Sequence, residues 1–221
     1  MSSNPRIVIA LVAALAAVGV AFAIWPGLDL AATHWVYDHG GFIGASRWTR
    51  FARDFFRLSP FFVLGAIVLL FLARRLGLNV AWAPDGRALV FLVASIAIGP
   101  GLIVNFGMKD HLHRPRPIHV RDFGGSDEFR PWYRFDGACW KNCGFASGEA
   151  SSAFWMVAPA LLSPPPFRTL AVAAALSFGV AASALRIAFG GHFLSDVLFG
   201  GLISLIVVFA CRWAIWPRGQ P

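Results

Sequence analysis

Arg186, His192 and Asp196 follow one another with five and then three residues between them. On a helix, positions i and i+4 share a face, so Asp196 is expected to accept a hydrogen bond from one nitrogen of His192 and leave the other as a lone-pair nucleophile. Upstream, Lys109 is followed seven positions later by Arg116, locked before Pro117. A compact ammonium and a planar two-pronged guanidinium on a proline-stiffened segment suit a phosphate. Between these two clusters, Ser147, Gly148 and Glu149 open an apolar run. A hydroxyl, free backbone amides and a helix dipole make an anion seat there, although the same residues also form an ordinary N-cap with an acid in the first turn. Cations gathered beside an imidazole nucleophile would stabilise the charge on the equatorial oxygens in phosphoryl transfer.

Clusters so far apart along the chain need a scaffold to gather them, and composition says which kind. Of 221 residues, 57% are hydrophobic and only 14% charged, with mean hydropathy +0.65, beyond what a water-soluble globule carries. Apolar dominance, aperiodic glycine and three cysteines also exclude disordered, collagen-like and disulfide-scaffold classes. The net charge of +8 is spread over loops between apolar runs and forms no continuous basic face, which argues against nucleic acid. Apolar runs at 7–25, 59–73, 88–108, 150–162, 170–189 and 197–216 predict six transmembrane helices, the second and fourth being short. A cleaved signal peptide ending at Ala21-Phe22-Ala23 is the rival reading of the first run, whose 19 apolar residues are too many for one. An even span count collects Arg6, Arg74, Arg75, Arg87, Arg168, Arg212 and Arg218 against Asp85 on one side, which positive-inside weighting makes cytoplasmic. All three polar clusters then fall on the opposite, extracytoplasmic side. Trp48, Phe51, Ala52 and Phe55 alternate with Arg47, Arg50, Asp54 and Arg57 in the pattern of an interfacial amphipathic helix. The loop 109–149 carries seven basic residues and the rings Trp132, Tyr133 and Trp140, and is expected to fold.

Taken jointly, Lys109 with Arg116-Pro117, then Ser147-Gly148, then Arg186 with His192 and Asp196, resemble the three-part signature of the type 2 phosphatidic acid phosphatase family over about half the chain. That resemblance implies a six-helix membrane bundle and metal-independent removal of phosphate from lipids. It also implies that His192 attacks phosphorus to form a phosphohistidine, that Asp196 orients it, and that Lys109, Arg116, Ser147, Gly148 and Arg186 hold the phosphate. Two departures stand out. Leu185 occupies the usual serine position before the third-motif arginine, and Glu149 replaces the histidine that protonates the leaving group. Burial would help Glu149 keep a proton and the nearby cations would oppose it, so its expected acid role includes help from His111 or His113. Cys139 and Cys143 could pair in an oxidising compartment and pin the loop. A zinc site formed by these cysteines with His111 and His113 is the competing idea, and its spacing matches no usual site.

The segment from these cysteines to Glu149 is more weakly similar to bacterial lipid A phosphatases. The reading is therefore an all-α, single-domain (1–221) integral membrane bundle with an interfacial helix and a long extracytoplasmic loop. It is expected to hydrolyse a lipid phosphate or pyrophosphate at the periplasmic face of a bacterial inner membrane, without metal or other cofactor. The substrates expected, in order, are lipid A phosphates, undecaprenyl pyrophosphate and phosphatidic acid or phosphatidylglycerol phosphate. The alternatives are a phosphotransferase using the same intermediate, and a non-catalytic binding or transport protein for lipid phosphates.

Overall fold

The computed structural model describes residues 5–80, 83–109 and 111–217. Five helices are long and apolar enough to cross a membrane among the described residues: α1 (Pro5–Ile24), α3 (Arg47–Arg75), Gly86–Met108, α7 (Pro165–Ala188) and α8 (Leu194–Ile215). The chain is thus an all-helical, multi-pass membrane bundle. Where the sequence predicts a fourth span, two short helices stand instead, α5 (Gly148–Trp155) and α6 (Val157–Leu161). Pro159 and the following prolines limit this segment to two thirds of the roughly 20 residues that a bilayer's hydrocarbon core needs. It packs inside the bundle, with Trp155, Val157, Ala158 and Leu161 buried in the main core.

The amphipathic stretch around Trp48 is not a separate interfacial helix. Ser46 caps it by accepting the Thr49 amide, and the helix then runs unbroken through Pro60 to Arg75 as the lower and upper parts of α3. The third span begins as α4 (Gly86–Ile96), capped by Asp85, and widens into a π-helix over Ala97–Met108. Pro100 lies inside that wide turn, and its carbonyl accepts a 2.7 Å hydrogen bond from the Asn105 amide group. Arg74, Arg75, Arg87, Arg168 and Arg212 all lie at the end of the bundle opposite His192; Arg218 is outside the described residues.

Above the other end, the loops are folded. A short helix α2 (Gly27–His34) and the hairpin β1 (Tyr37–Asp38) and β2 (Gly41–Phe42) cover the 109–149 segment. Val120, Phe123 and Phe193 form a small core there with Leu30, Tyr37 and Phe42 around it. Trp132 stacks near Phe145 and donates its indole N–H to the Gly19 carbonyl of α1, tying the long loop to the first span.

α5 can stand at the centre because glycines open a slot for it. A Cβ at Gly179 of α7 would lie 2.7 Å from the Phe154 ring, and one at Gly201 of α8 would lie 2.6 Å from its other edge. A Cβ at Gly200 would meet the Ser147 carbonyl at 2.5 Å. Gly201→Val should therefore destabilise the protein by about 1–3 kcal/mol through overpacking, read as a lower melting temperature in detergent. Phe154→Ala in the same chain should recover part of that loss, whereas strictly additive losses would show that the ring and the glycine do not share the slot.

Candidate active site

Four elements meet where α3 and α5 begin, α7 ends and α8 begins. Arg186, on the last turn of α7, is 4% exposed; its guanidinium lies across Gly191, where a side chain would collide with it. Arg186 Nε has no hydrogen-bond partner among the described residues and stands 3.4 Å from Glu149 Oε2. Arg53 of α3 grips the same carboxylate, with Nη2 2.7 Å from Oε1 and Nε 3.3 Å from Oε2. Glu149 is thus held between two guanidiniums, which favour its ionised form.

Arg116 reaches the same place from the long loop. Its Nε and Nη2 donate to the Asn142 carbonyl at 3.1 and 2.7 Å, and Nη2 donates to Asn142 Oδ1 at 2.8 Å. Asn142 sits in the small loop closed by the disulfide between Cys139 and Cys143. Arg53, Arg116 and Arg186, with His119, Lys141, Gly191 and one acid, Asp127, line one cavity of about 560 Å³. Three guanidiniums on one hollow make it a seat for a multiply charged anion.

His192 is 1% exposed. It precedes α8, whose first residue is Leu194, so the helical i, i+4 relation expected from the sequence does not apply. Its Nδ1 is 2.7 Å from the Gly144 carbonyl and 3.7 Å from Asp196 Oδ2, the latter beyond hydrogen-bonding distance. A carbonyl can only accept, so Nδ1 carries the proton and Nε2 keeps its lone pair. Burial, reinforced by the nearby charges of Arg186 and Arg116 and opposed by Asp196, lowers the imidazole pKa to about 4.

Asp196 is occupied elsewhere. Its Oδ2 accepts the Phe193 amide at 2.8 Å at the start of α8, and its Oδ1 pairs with Arg114 Nη1. Arg114, wholly buried, also donates at 2.7 Å to Asp29 of α2 and at 2.8 Å to Ser195 Oγ. Asp29 in turn accepts the Ser195 amide at 2.8 Å and its hydroxyl at 2.7 Å. Asp29, Arg114 and Arg53 are the polar residues that motif spacing missed. Asp29 was visible as a lone acid in an apolar stretch, and Arg114 as a second arginine before a proline, two residues ahead of Arg116. Arg53 gave no signal beyond its place in an amphipathic helix.

The remaining expected residues are placed as follows. Ser147 is the N-cap of α5, its hydroxyl accepting the Ala150 amide at 3.3 Å, and its own amide donates to the Asp196 carbonyl at 3.0 Å. Gly148 lies against Asn105, where a Cβ would clash with the carboxamide oxygen. That oxygen is 3.4 Å from Lys109 Nζ, so Lys109 approaches the start of α5 through Asn105 and is not part of the cavity lining. His113 and His111 do not line the cavity either. Nδ1 of His113 is 2.8 Å from the Cys139 carbonyl and its ring packs on Trp140, while His111 is exposed beside Phe106.

Residues 88–220 match the PAP2 superfamily. Over 205 residues the chain is 36% identical to a lipid A 4'-phosphatase of Francisella tularensis subsp. novicida (strain U112), covering 88% of this chain and 87% of that protein. It is 39% identical over 138 residues to a lipid A 4'-phosphatase of Rhizobium leguminosarum, covering 62% of this chain and 59% of that one. Its fold is similar, with a TM-score of 0.58 and 17% identity over 93% of this chain and 94% of the other, to a transmembrane PAP2 type phosphatidylglycerolphosphate phosphatase from Bacillus subtilis.

Two measurements check this geometry. With ¹⁵N-labelled histidine, His192 should show a protonated Nδ1 and a bare Nε2 at pH 6 and titrate near pH 4; ordinary titration near 6.5 would contradict the burial argument. Arg114→Met should cost about 3–5 kcal/mol of stability, because it leaves two carboxylates buried without their cation, read as a large fall in melting temperature.

Proposed function

The chain belongs to the PAP2 superfamily, and on that premise we propose that the cavity is the active site of a metal-independent membrane lipid phosphatase acting on a lipid A phosphate through a phosphohistidine. One observation carries the mechanism: a buried, neutral imidazole with its Nδ1 proton fixed on the Gly144 carbonyl, beside a hollow lined by three arginines. The names of the two relatives favour lipid A, and its 4'-phosphate in particular, over the other candidate lipids.

The phosphate monoester enters with its oxygens on Arg116 and Arg186 and the first-turn amides of α5, while Lys109 adds charge at the edge. Nε2 of His192 attacks phosphorus, the N–P bond forms and the bond to the sugar oxygen breaks. The leaving oxygen needs a proton. Glu149 is ionised between Arg53 and Arg186, and a dianionic phosphate competes for the same guanidiniums and repels the carboxylate, which raises its pKa. Substrate binding thereby loads Glu149 with the proton it then donates. In the second half-reaction Glu149 takes a proton from water, the water oxygen attacks phosphorus, and the N–P electron pair returns to Nε2. Asp196 is a positioning residue here: it holds the Phe193 amide and the start of α8, and its charge steadies the imidazole.

Two independent features support the orientation. Arg6, Arg74, Arg75, Arg87, Arg168 and Arg212 at the far end favour the cytoplasm, and the disulfide on the site's own side favours an oxidising compartment. The active site accordingly faces the periplasm from a bacterial inner membrane.

Purified protein assayed for phosphate release should act on lipid A bearing a 4'-phosphate with chelator present. His192→Ala should lose about three orders of magnitude or more of turnover; equal release by mutant and parent would exclude His192 as the nucleophile, and no release by either would leave a binding protein. Glu149→Gln should lower kcat about 10²-fold or more and abolish its alkaline limb; an unchanged pH profile would remove the proton-carrying role. Labelled phosphate appearing on an added acceptor lipid in place of free phosphate would make the protein a transferase.

A further inference from the structure

At the end of the bundle opposite His192, Arg74 closing α3, Arg87 opening α4 and Arg168 opening α7 line one cavity of about 730 Å³. The acid in its lining, Asp85, accepts the Ala88 amide at 2.7 Å as the cap of α4. Arg74 and Arg168 each donate to a backbone carbonyl, of Ala83 and Ser163, both at 3.1 Å. Those bonds fix the two guanidiniums in place without neutralising them. Arg212 of α8 adds its charge within electrostatic reach of Arg168. Positive residues at a membrane's inner edge usually spread into loops, whereas these three, from three helices, face a common hollow.

The cavity also has an apolar side, including Ile67, Leu70 and Trp216, and it does not end there. Pro159 and Ser163 are shared with a second hollow of about 370 Å³ against α7, which reaches Val63, Met156 and Phe178. Those three residues in turn border a third hollow of about 590 Å³ along α3. These hollows, linked by shared lining residues, together form a largely apolar trough between α3 and α7 above the cationic cavity. The α5–α6 segment forms one wall of it through Met156, Pro159 and Ala160.

We propose that this is a binding site for an anionic glycerophospholipid of the leaflet opposite the active site, its headgroup phosphate held by Arg74, Arg87 and Arg168 and one acyl chain lying in the trough. Charge alone would also suit inorganic phosphate, but a free anion leaves the trough unused. A zwitterionic headgroup brings an ammonium into a hollow already crowded with cations. The lipid binds the folded bundle and bridges α3, α4 and α7, so it stabilises their packing.

The test uses the full chain in detergent, with thermal unfolding followed during titration with phosphatidylglycerol, phosphatidylcholine or inorganic phosphate. Phosphatidylglycerol is a diester and offers the active site no monoester to cleave. It should raise the melting temperature by about 5 °C or more at saturation, and the other two should not. The double variant Arg87→Gln/Arg168→Gln should need at least about tenfold more phosphatidylglycerol for the same shift. Ala174→Phe, which fills the trough without touching the arginines, should weaken the response as well. Phosphatase turnover at the other face serves as the folding control for both variants. An equal shift in folded variants, or an equal shift with phosphatidylcholine, would overturn the proposal. A phosphate response matching that of phosphatidylglycerol would replace the lipid with a plain anion.

Discussion

Arg114 sits wholly inside the protein between Asp29 and Asp196, and the geometry around His192 follows from that placement. One guanidinium shared by two buried carboxylates is tolerable only because nearly every donor and acceptor is used. The Arg130 carbonyl takes Arg114 Nε at 2.8 Å, Ser195 bridges to Asp29, and the Phe193 ring lies 4.6 Å from the guanidinium carbon. The network joins three parts of the chain that approach from different directions: α2 after the first span, the long loop, and the start of α8. It leaves Asp196 one oxygen for the Phe193 amide, and so sets the turn that carries His192. The carboxylate that the sequence assigns to the imidazole serves mainly to place the backbone on which that imidazole stands.

The anion seat has a different electrostatic problem. Arg53, Arg116 and Arg186 repel one another around one hollow, and burial deepens the penalty. Glu149 relieves it by pairing with two of the three. A histidine in its place would add no negative charge to offset Arg53. In the proposed reaction the substrate's phosphate exchanges places electrostatically with this carboxylate, which links anion binding to proton uptake within one group. The same surroundings keep His192 neutral: a buried imidazole facing arginines gains little from a proton and loses much by desolvation.

The two ends of the bundle are built on a shared economy of short segments. At the site end, the loop closed by Cys139 and Cys143 supplies the carbonyl and carboxamide that hold Arg116. At the far end, arginines from three helices meet in a hollow whose apolar continuation is walled in part by the short α5–α6 segment. The same short segment carries Phe154 into the slot between Gly179 and Gly201.

Membrane residence and helical class were legible in the chain because bilayer thickness imposes a length of apolar sequence that no packing detail can alter. The residue types needed for phosphate chemistry were legible too, since a cation before a proline or a histidine beside an acid keeps its chemistry wherever the fold puts it. Which of them meet was a matter of tertiary structure. Lys109 lies behind Asn105 and His113 supports the disulfide loop, while Arg53, concealed in an amphipathic stretch, reaches Glu149 across 96 positions. The pairing of His192 with Asp196 was inferred from helical spacing, yet the helix starts two residues too late for that spacing to hold. Short-range patterns report the geometry of one element. The partners of a buried charge are decided by which elements fold against it, and that decision rests on desolvation and packing summed over the whole molecule.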